Sequence, residues 1–184
     1  MKIMLDLETL STRPNAGVVA IGAVDFYQLG VGGRKFYRSI TPKSNEAAGL
    51  HISASTFAWW CQQSDSARAV FSDKTATSLA AALTDFGSWC NELGVDEMWG
   101  NGSDFDNVIL GNAYETLGLY RPWKYSQNRC YRTLKSLVPT GVANKAWIKW
   151  STGVAHNALD DAVRQAHIAV DIYTHMALDR LEAA

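Results

Sequence analysis

The run Ile3-Met4-Leu5-Asp6-Leu7-Glu8-Thr9 places two carboxylates one residue apart in an otherwise apolar stretch. On a β-strand, residues i and i+2 share a face, so Asp6 and Glu8 are expected to project together while Leu5 and Leu7 face the other way. Two adjacent carboxylates repel, and burying them without compensation is costly. A divalent cation removes that cost. Hard oxygen ligands suit Mg2+ or Mn2+ rather than Zn2+, which favours His and Cys. An acidic, solvated strand face is the competing reading, and this run alone does not choose between them.

Two further segments bear on that choice. In Trp99-Gly100-Asn101-Gly102-Ser103-Asp104-Phe105-Asp106-Asn107, a short apolar strand ends in a glycine-containing turn and feeds a helix, with Asp106 in its first turn. In His156-Asn157-Ala158-Leu159-Asp160-Asp161, a His and two acids open the last helix. An acid in a first turn has a plain explanation, because it caps the helix or complements its dipole. That explanation does not account for three separated segments that each bring acid to a strand end or a helix start.

Taken in order, Asp6-x-Glu8, Phe105-Asp106 after a small-residue turn, and His156 with Asp161 five positions on resemble the three motifs of the DEDDh 3′-5′ exonucleases. That family includes polymerase proofreading subunits, oligoribonuclease and RNase T. The longer first motif, Asp6 to Ala16, and the Trp59-Trp60-Cys61-Gln62-Gln63 block resemble the small stand-alone exonucleases of tailed phages and their bacterial relatives. The resemblance spans essentially the whole chain. It implies a ribonuclease H-like α/β fold, with a mixed five-stranded sheet and helices on both faces.

The resemblance also implies a chemistry. Two ions, Mg2+ or Mn2+, would drive phosphodiester hydrolysis and release nucleoside 5′-monophosphates. Asp6 would bridge them, Glu8 and Asp161 would complete the site of the attacking water, and Asp106 would hold the second ion largely through water. His156 would be the general base, its ordinary pKa near ~6.5 allowing it to accept a proton at neutral pH. Asp160 is set aside because successive helical residues point about 100° apart, and the family spacing selects Asp161. The sister class carries Tyr where this chain has Asn157. Asp104 is expected to cap the helix that follows, while Asp25 has no partner motif. His167 and His175 are expected at the surface or in packing, and His51 is a second candidate base.

Length and composition fit one domain over residues 1–184, with 47% hydrophobic and 19% charged residues. A formal charge of −1 argues against a protein that coats long duplex, although not against one that holds a few terminal nucleotides. The expected substrates are single-stranded DNA or RNA 3′ ends, and the sequence does not choose between them. Thr9, Leu10, Trp59, Trp60 and Asn101 are candidate substrate contacts. Leu10 would be a wedge at the terminal base by family analogy, and one of the two tryptophans would pack while the other faces substrate. Arg13, Arg129, Arg132 and Lys135 are candidate phosphate contacts. No apolar run approaches ~20 residues and no charged-then-apolar leader is seen, so a cytoplasmic protein without a membrane segment is expected. The widely spaced Cys61, Cys90 and Cys130 suggest a reducing compartment and small, at least half-buried side chains. A homodimer is compatible with the sequence. Two other classes remain open: a catalytically silent nucleic-acid-binding module, and a ribonuclease H-like endonuclease or phosphohydrolase.

The expected strands lie at 2–7, 18–26, 34–40 and 97–100, with another near 128–131. Gly30-Val31-Gly32-Gly33 reads as the connection between the second and third. Helices are expected at 55–63, 78–93, 105–117, 133–137 and 159–181.

Overall fold

The computed structural model describes residues 1–182. Strands β1 (Lys2–Thr9), β2 (Val18–Tyr27) and β3 (Gly30–Ser39) open the chain. Four helices follow: α1 (Pro42–Ala47), α2 (Ala54–Trp60), α3 (Asp65–Arg68), which runs into a 3-10 turn at Ala69–Ser72, and α4 (Leu79–Leu93). Then come β4 (Glu97–Gly100), α5 (Asp106–Thr116), β5 (Asn128–Cys130), α6 (Tyr131–Ser136), α7 (Thr140–Lys149) and α8 (Ala158–Glu182). The sheet order is β3-β2-β1-β4-β5, with β1 antiparallel to β2 and parallel to β4. It is the mixed five-stranded sheet expected from the sequence.

Period-two alternation along β1 divides the core. Ile3, Leu5 and Leu7 pack with Leu83 and Phe86 of α4 and with Ile109 and Leu110 of α5. Met4 faces the other layer, with Tyr131 and Leu134 of α6, Ala146 of α7, and Ala162, Ala166 and Ala169 of α8. Asp6 and Glu8 continue the Met4 face, and their strand neighbours are committed to a hydrophobic layer on the opposite side. A one-residue slip would exchange the two sets, so burial on both faces fixes which way the carboxylates point.

Two glycines admit helices to this end of the sheet. Gly22 pairs with Asp6 across β1 and β2, and a Cβ there would lie 2.1 Å from the carbonyl carbon of Ala158. The start of α8 therefore rests directly on the sheet. A Cβ on Gly100 would lie 2.3 Å from Asn107 Oδ1 and 3.0 Å from the Asp106 Cβ, which explains the close approach of α5.

Some expectations fail locally. Gly30, Gly32 and Gly33 belong to β3, and the turn falls on Gln28 and Leu29. Gly32 serves a bulge in β2: Asp25 is buried there, its Oδ1 accepts the Arg34 amide at 2.9 Å, and a Cβ on Gly32 would collide with it at 2.0 Å. Helices α1, α3 and α7 were not expected; α1 begins with Pro42 at its first position, where the missing N–H costs nothing. Asp104 does not cap α5, whose N-cap is Phe105 without a side-chain bond. Cys90 and Cys130 are buried or half-buried as expected, but Cys61 is exposed. Among the described residues, no helix is long and apolar enough to cross a membrane.

Candidate active site

The C-terminal end of β1 meets the starts of α5 and α8, and each element delivers acid to that junction. Glu8 is 6% exposed, Asp106 2% and Asp161 8%. Ligand atoms of Glu8, His156 and Asp161 lie within 4.8 Å of one another. Asp106 reaches across from α5 so that its Oδ1 accepts the Leu7 amide at 3.2 Å, while its buried Oδ2 has no hydrogen-bond partner among the described residues. Asp6 Oδ1 accepts from Gln165 at 2.7 Å. The register shifts between Glu8 and Thr9, a bulge of the kind that re-aims side chains beside functional sites.

The electrostatics show how uncomfortable this junction is without a cation. Burial first, and Asp106 second, push the Glu8 carboxyl up to about 8. Burial raises Asp106 to about 7, against the opposing pull of backbone amides led by Leu7. Asp6 is held well above the usual carboxylate range by burial, with Asp106 and Glu8 adding to the effect. A mutually repelling set of carboxylate oxygens, with Asp106 Oδ2 left without a partner among the described residues, is what a hard divalent cation would satisfy. Arg164 supplies part of the missing positive charge through its ion pair with Asp161.

His156 stands at the edge of the carboxylates with φ of 62°, the one non-glycine residue with positive φ among the described residues. The left-handed region costs a non-glycine residue roughly 1–3 kcal/mol and concentrates at functional sites. Its amide donates to Asp161 Oδ2 at 3.0 Å, and its ring meets the Trp59 ring edge-on at 4.9 Å between centroids. Burial, then Arg164, lowers its pKa, so the imidazole is neutral and able to accept a proton at neutral pH. Asn157 caps α8 instead of reaching the acids, its Oδ1 accepting from Leu159 and Asp160 at 3.1 Å. Asp160 points away and accepts the Val154 amide at 2.8 Å, which closes the loop before His156.

A cleft of about 400 Å3 opens beside Glu8, lined by Leu7, Thr9, Thr12, Trp59, Trp60 and Phe105 among others. Trp60 is the packing member of its pair, 2% exposed, with Nε1 donating to the Thr9 carbonyl at 2.9 Å. Trp59 is 41% exposed and faces the cleft. Leu10 corrects an expectation: it is 3% exposed, packed with Val19, Trp60 and Ala67, and does not present a wedge to the cleft. Asn101 lies half-buried in the turn between β4 and α5. His51 hydrogen-bonds Ser11 at 2.7 Å, His167 stacks on Trp150, and His175 pairs with Asp179; none of them joins the acids. Arg129 is taken up by Glu97 and nearby carbonyls. Arg164 and Gln165 were missed in the sequence, although they stand three and four residues after Asp161 and so share its helix face.

The chain matches the family model described as the 3′-5′ exoribonuclease Rv2179c-like domain over residues 1–173. It belongs to that family. The DEDDh exonuclease resemblance therefore stands, and this family member is a 3′-5′ exonuclease. Its fold is similar to that of Exonuclease X solved with 5′ overhanging duplex DNA: TM-score 0.61, 16% identity, covering 96% of this chain and 93% of that one. E. coli Exonuclease I, solved with a dA13 oligonucleotide, is similar at TM-score 0.60 and 16% identity; the match takes 99% of this chain but 42% of that one. No curated protein matches in sequence.

Proposed function

We propose that this family member is a metal-dependent exoribonuclease. It shortens single strands from a free 3′-hydroxyl and releases nucleoside 5′-monophosphates, acting as one domain in the cytoplasm. The observation that carries this reading is the junction of Asp6, Glu8, Asp106 and Asp161, four carboxylates of which three are buried, beside a neutral imidazole. The family description supports RNA as substrate.

Asp6, Glu8, Asp106 and Asp161 would hold two divalent cations, Mg2+ or Mn2+, whose charge stabilises the phosphoryl and leaving 3′-oxygens and makes water easier to deprotonate. His156 accepts the proton of the attacking water, its ring oriented by the edge contact with Trp59. Trp59 and Phe105 offer flat faces for the terminal base in the cleft that Thr9 and Glu8 also line. Stacking does not read sequence, which suits an enzyme that removes one nucleotide after another.

The test is a 5′-labelled oligonucleotide prepared as matched RNA and DNA, with a free or a phosphorylated 3′ end, in Mg2+ or Mn2+. A ladder shortening from the free 3′ end, faster on RNA, is expected. Faster shortening of DNA, which both structural neighbours were solved with, would move the substrate to DNA. Internal cuts would indicate an endonuclease, and an unchanged band a silent binding module.

A further inference from the structure

Beside the carboxylates, and linked to Asp161 through Arg164 and Trp147, α6 and α7 wall a cavity of about 690 Å3. Tyr131, Arg132 and Lys135 line it from α6, and Thr140, Asn144 and Trp147 from α7; no carboxylate is among the lining residues. Two arginines join this cavity to the active site. The Arg132 guanidinium packs against the Gly102 turn that leads into Asp106, within 3.3 Å of where a Cβ on Gly102 would stand. Arg164 pairs with Asp161 while its guanidinium lies 4.8 Å from the Trp147 ring centre.

The cations of this cavity are only loosely engaged by the protein, Arg132 drawing the Asp106 carboxyl, raised by burial, down through space. Among the described residues, neither Arg132 nor Lys135 forms a salt bridge, and Lys135 instead lies 5.1 Å from the Tyr131 ring centre. The buried Tyr131 hydroxyl and Arg164 Nε also lack hydrogen-bond partners among the described residues. Unpaired positive charge is notable in a chain whose net charge is −1. Elsewhere the junction is bordered differently. The Trp59 cleft is largely apolar, and the pocket between Glu8, Tyr37, Asp73 and His156 carries acid.

We propose that the α6–α7 cavity is a subsite for the phosphodiesters immediately upstream of the terminal nucleotide, with Arg132 and Lys135 as its phosphate contacts and Asn144 and Thr140 as hydrogen-bond donors beside them. This rests on the exonuclease reading of the adjacent acids. The terminal base enters the Trp59 cleft, its phosphate sits over the carboxylates, and the rest of the strand leaves across α6. Backbone contacts carry no sequence information, so the subsite confers length dependence and salt dependence without base preference. A dinucleotide does not fill it, whereas a tetranucleotide does.

The experiment measures binding of 5′-labelled RNA dimers and tetramers by fluorescence polarisation, using protein disabled by Asp6→Asn so that nothing is consumed. In that background Arg132→Gln with Lys135→Gln should weaken the tetramer about tenfold and the dimer less than twofold. The slope of log affinity against log salt should become shallower by roughly 0.7 for each single-strand phosphate left without its cation. Arg132→Lys with Lys135→Arg, which keeps both charges, should restore most of the tetramer affinity. Equal weakening of dimer and tetramer, or an unchanged salt slope in a variant whose circular dichroism is native, overturns the proposal. Binding of a nucleoside 5′-monophosphate that weakens as much as the tetramer would assign the cavity to released product, and also overturns it. The exonuclease reading fails separately, if the unsubstituted protein shortens no 3′ end.

Discussion

Glu8 is 6% exposed and its carboxyl is pushed up to about 8 by burial and by Asp106, from an ordinary value of 4.5. A carboxyl whose folded pKa lies above its unfolded value favours the folded state least at high pH, so stability is lost as pH rises from about 4.5 through about 8. At roughly 1.4 kcal/mol per pKa unit, the loss near neutral pH is on the order of 3 kcal/mol. Glu8→Gln keeps the shape and removes the ionisation, so in chelator at pH 7.5 it should be more stable by about that amount. For a protein of this length ~3 kcal/mol corresponds to a Tm increase of roughly 6–12 °C. Thermal unfolding in EDTA from pH 4.5 to 8.5 checks this. The gain should be near zero at the acid end, grow through neutrality and level off above pH 8, and the variant should have lost its nuclease activity. A Tm equal to or below that of the native sequence at pH 7.5, or a gain that does not vary with pH, refutes the claim that the fold disfavours ionisation of Glu8.

His156→Ala should lower turnover by on the order of 10²–10⁴-fold with little change in Mg2+ affinity, and the acidic limb of the pH–rate profile at saturating metal should disappear. A surviving limb would make His156 structural. Trp59→Ala should raise KM by roughly 5- to 150-fold, equivalent to ~1–3 kcal/mol for one stacked base, and leave kcat nearly unchanged; a fall in kcat alone would reassign Trp59 to positioning His156. Gly22→Ala should destabilise the fold by several kcal/mol, on the order of ~3, because its Cβ would meet the Ala158 backbone at 2.1 Å. A native-like Tm in that variant would contradict the direct seating of α8 on the sheet.

Which parts of this were legible in the sequence depended on the range of the physics involved. The alternation along β1 is local, and it reveals both the strand and the face that Asp6 and Glu8 occupy. The helix expected at 78–93 matches α4 to within a residue. Helix α7 was illegible because Gly141 stands in its first turn and its amphipathic stripe is short. The glycines of β3 mislead for a different reason: Gly32 clears room for Asp25 on the neighbouring strand, a contact that leaves no local pattern. Leu10 suggests a substrate contact by analogy, whereas α2 and α3 bury it beneath Trp60. Arg164 has a signal in its i,i+3 spacing from Asp161, whereas the partner of Gln165, the distant Asp6, is evident only once α8 lies on β1 and β2.

The most direct measurement of the central claim is product analysis by mass spectrometry after a single-stranded RNA with a free 3′-hydroxyl is incubated in Mn2+ with the unsubstituted protein, Asp106→Asn and Asp161→Asn. Nucleoside 5′-monophosphates and a nested set of 5′-fragments are expected from the unsubstituted protein, and neither from the two variants or in EDTA. Nucleoside 3′- or cyclic monophosphates, or undiminished cleavage by either variant at saturating Mn2+, would contradict it.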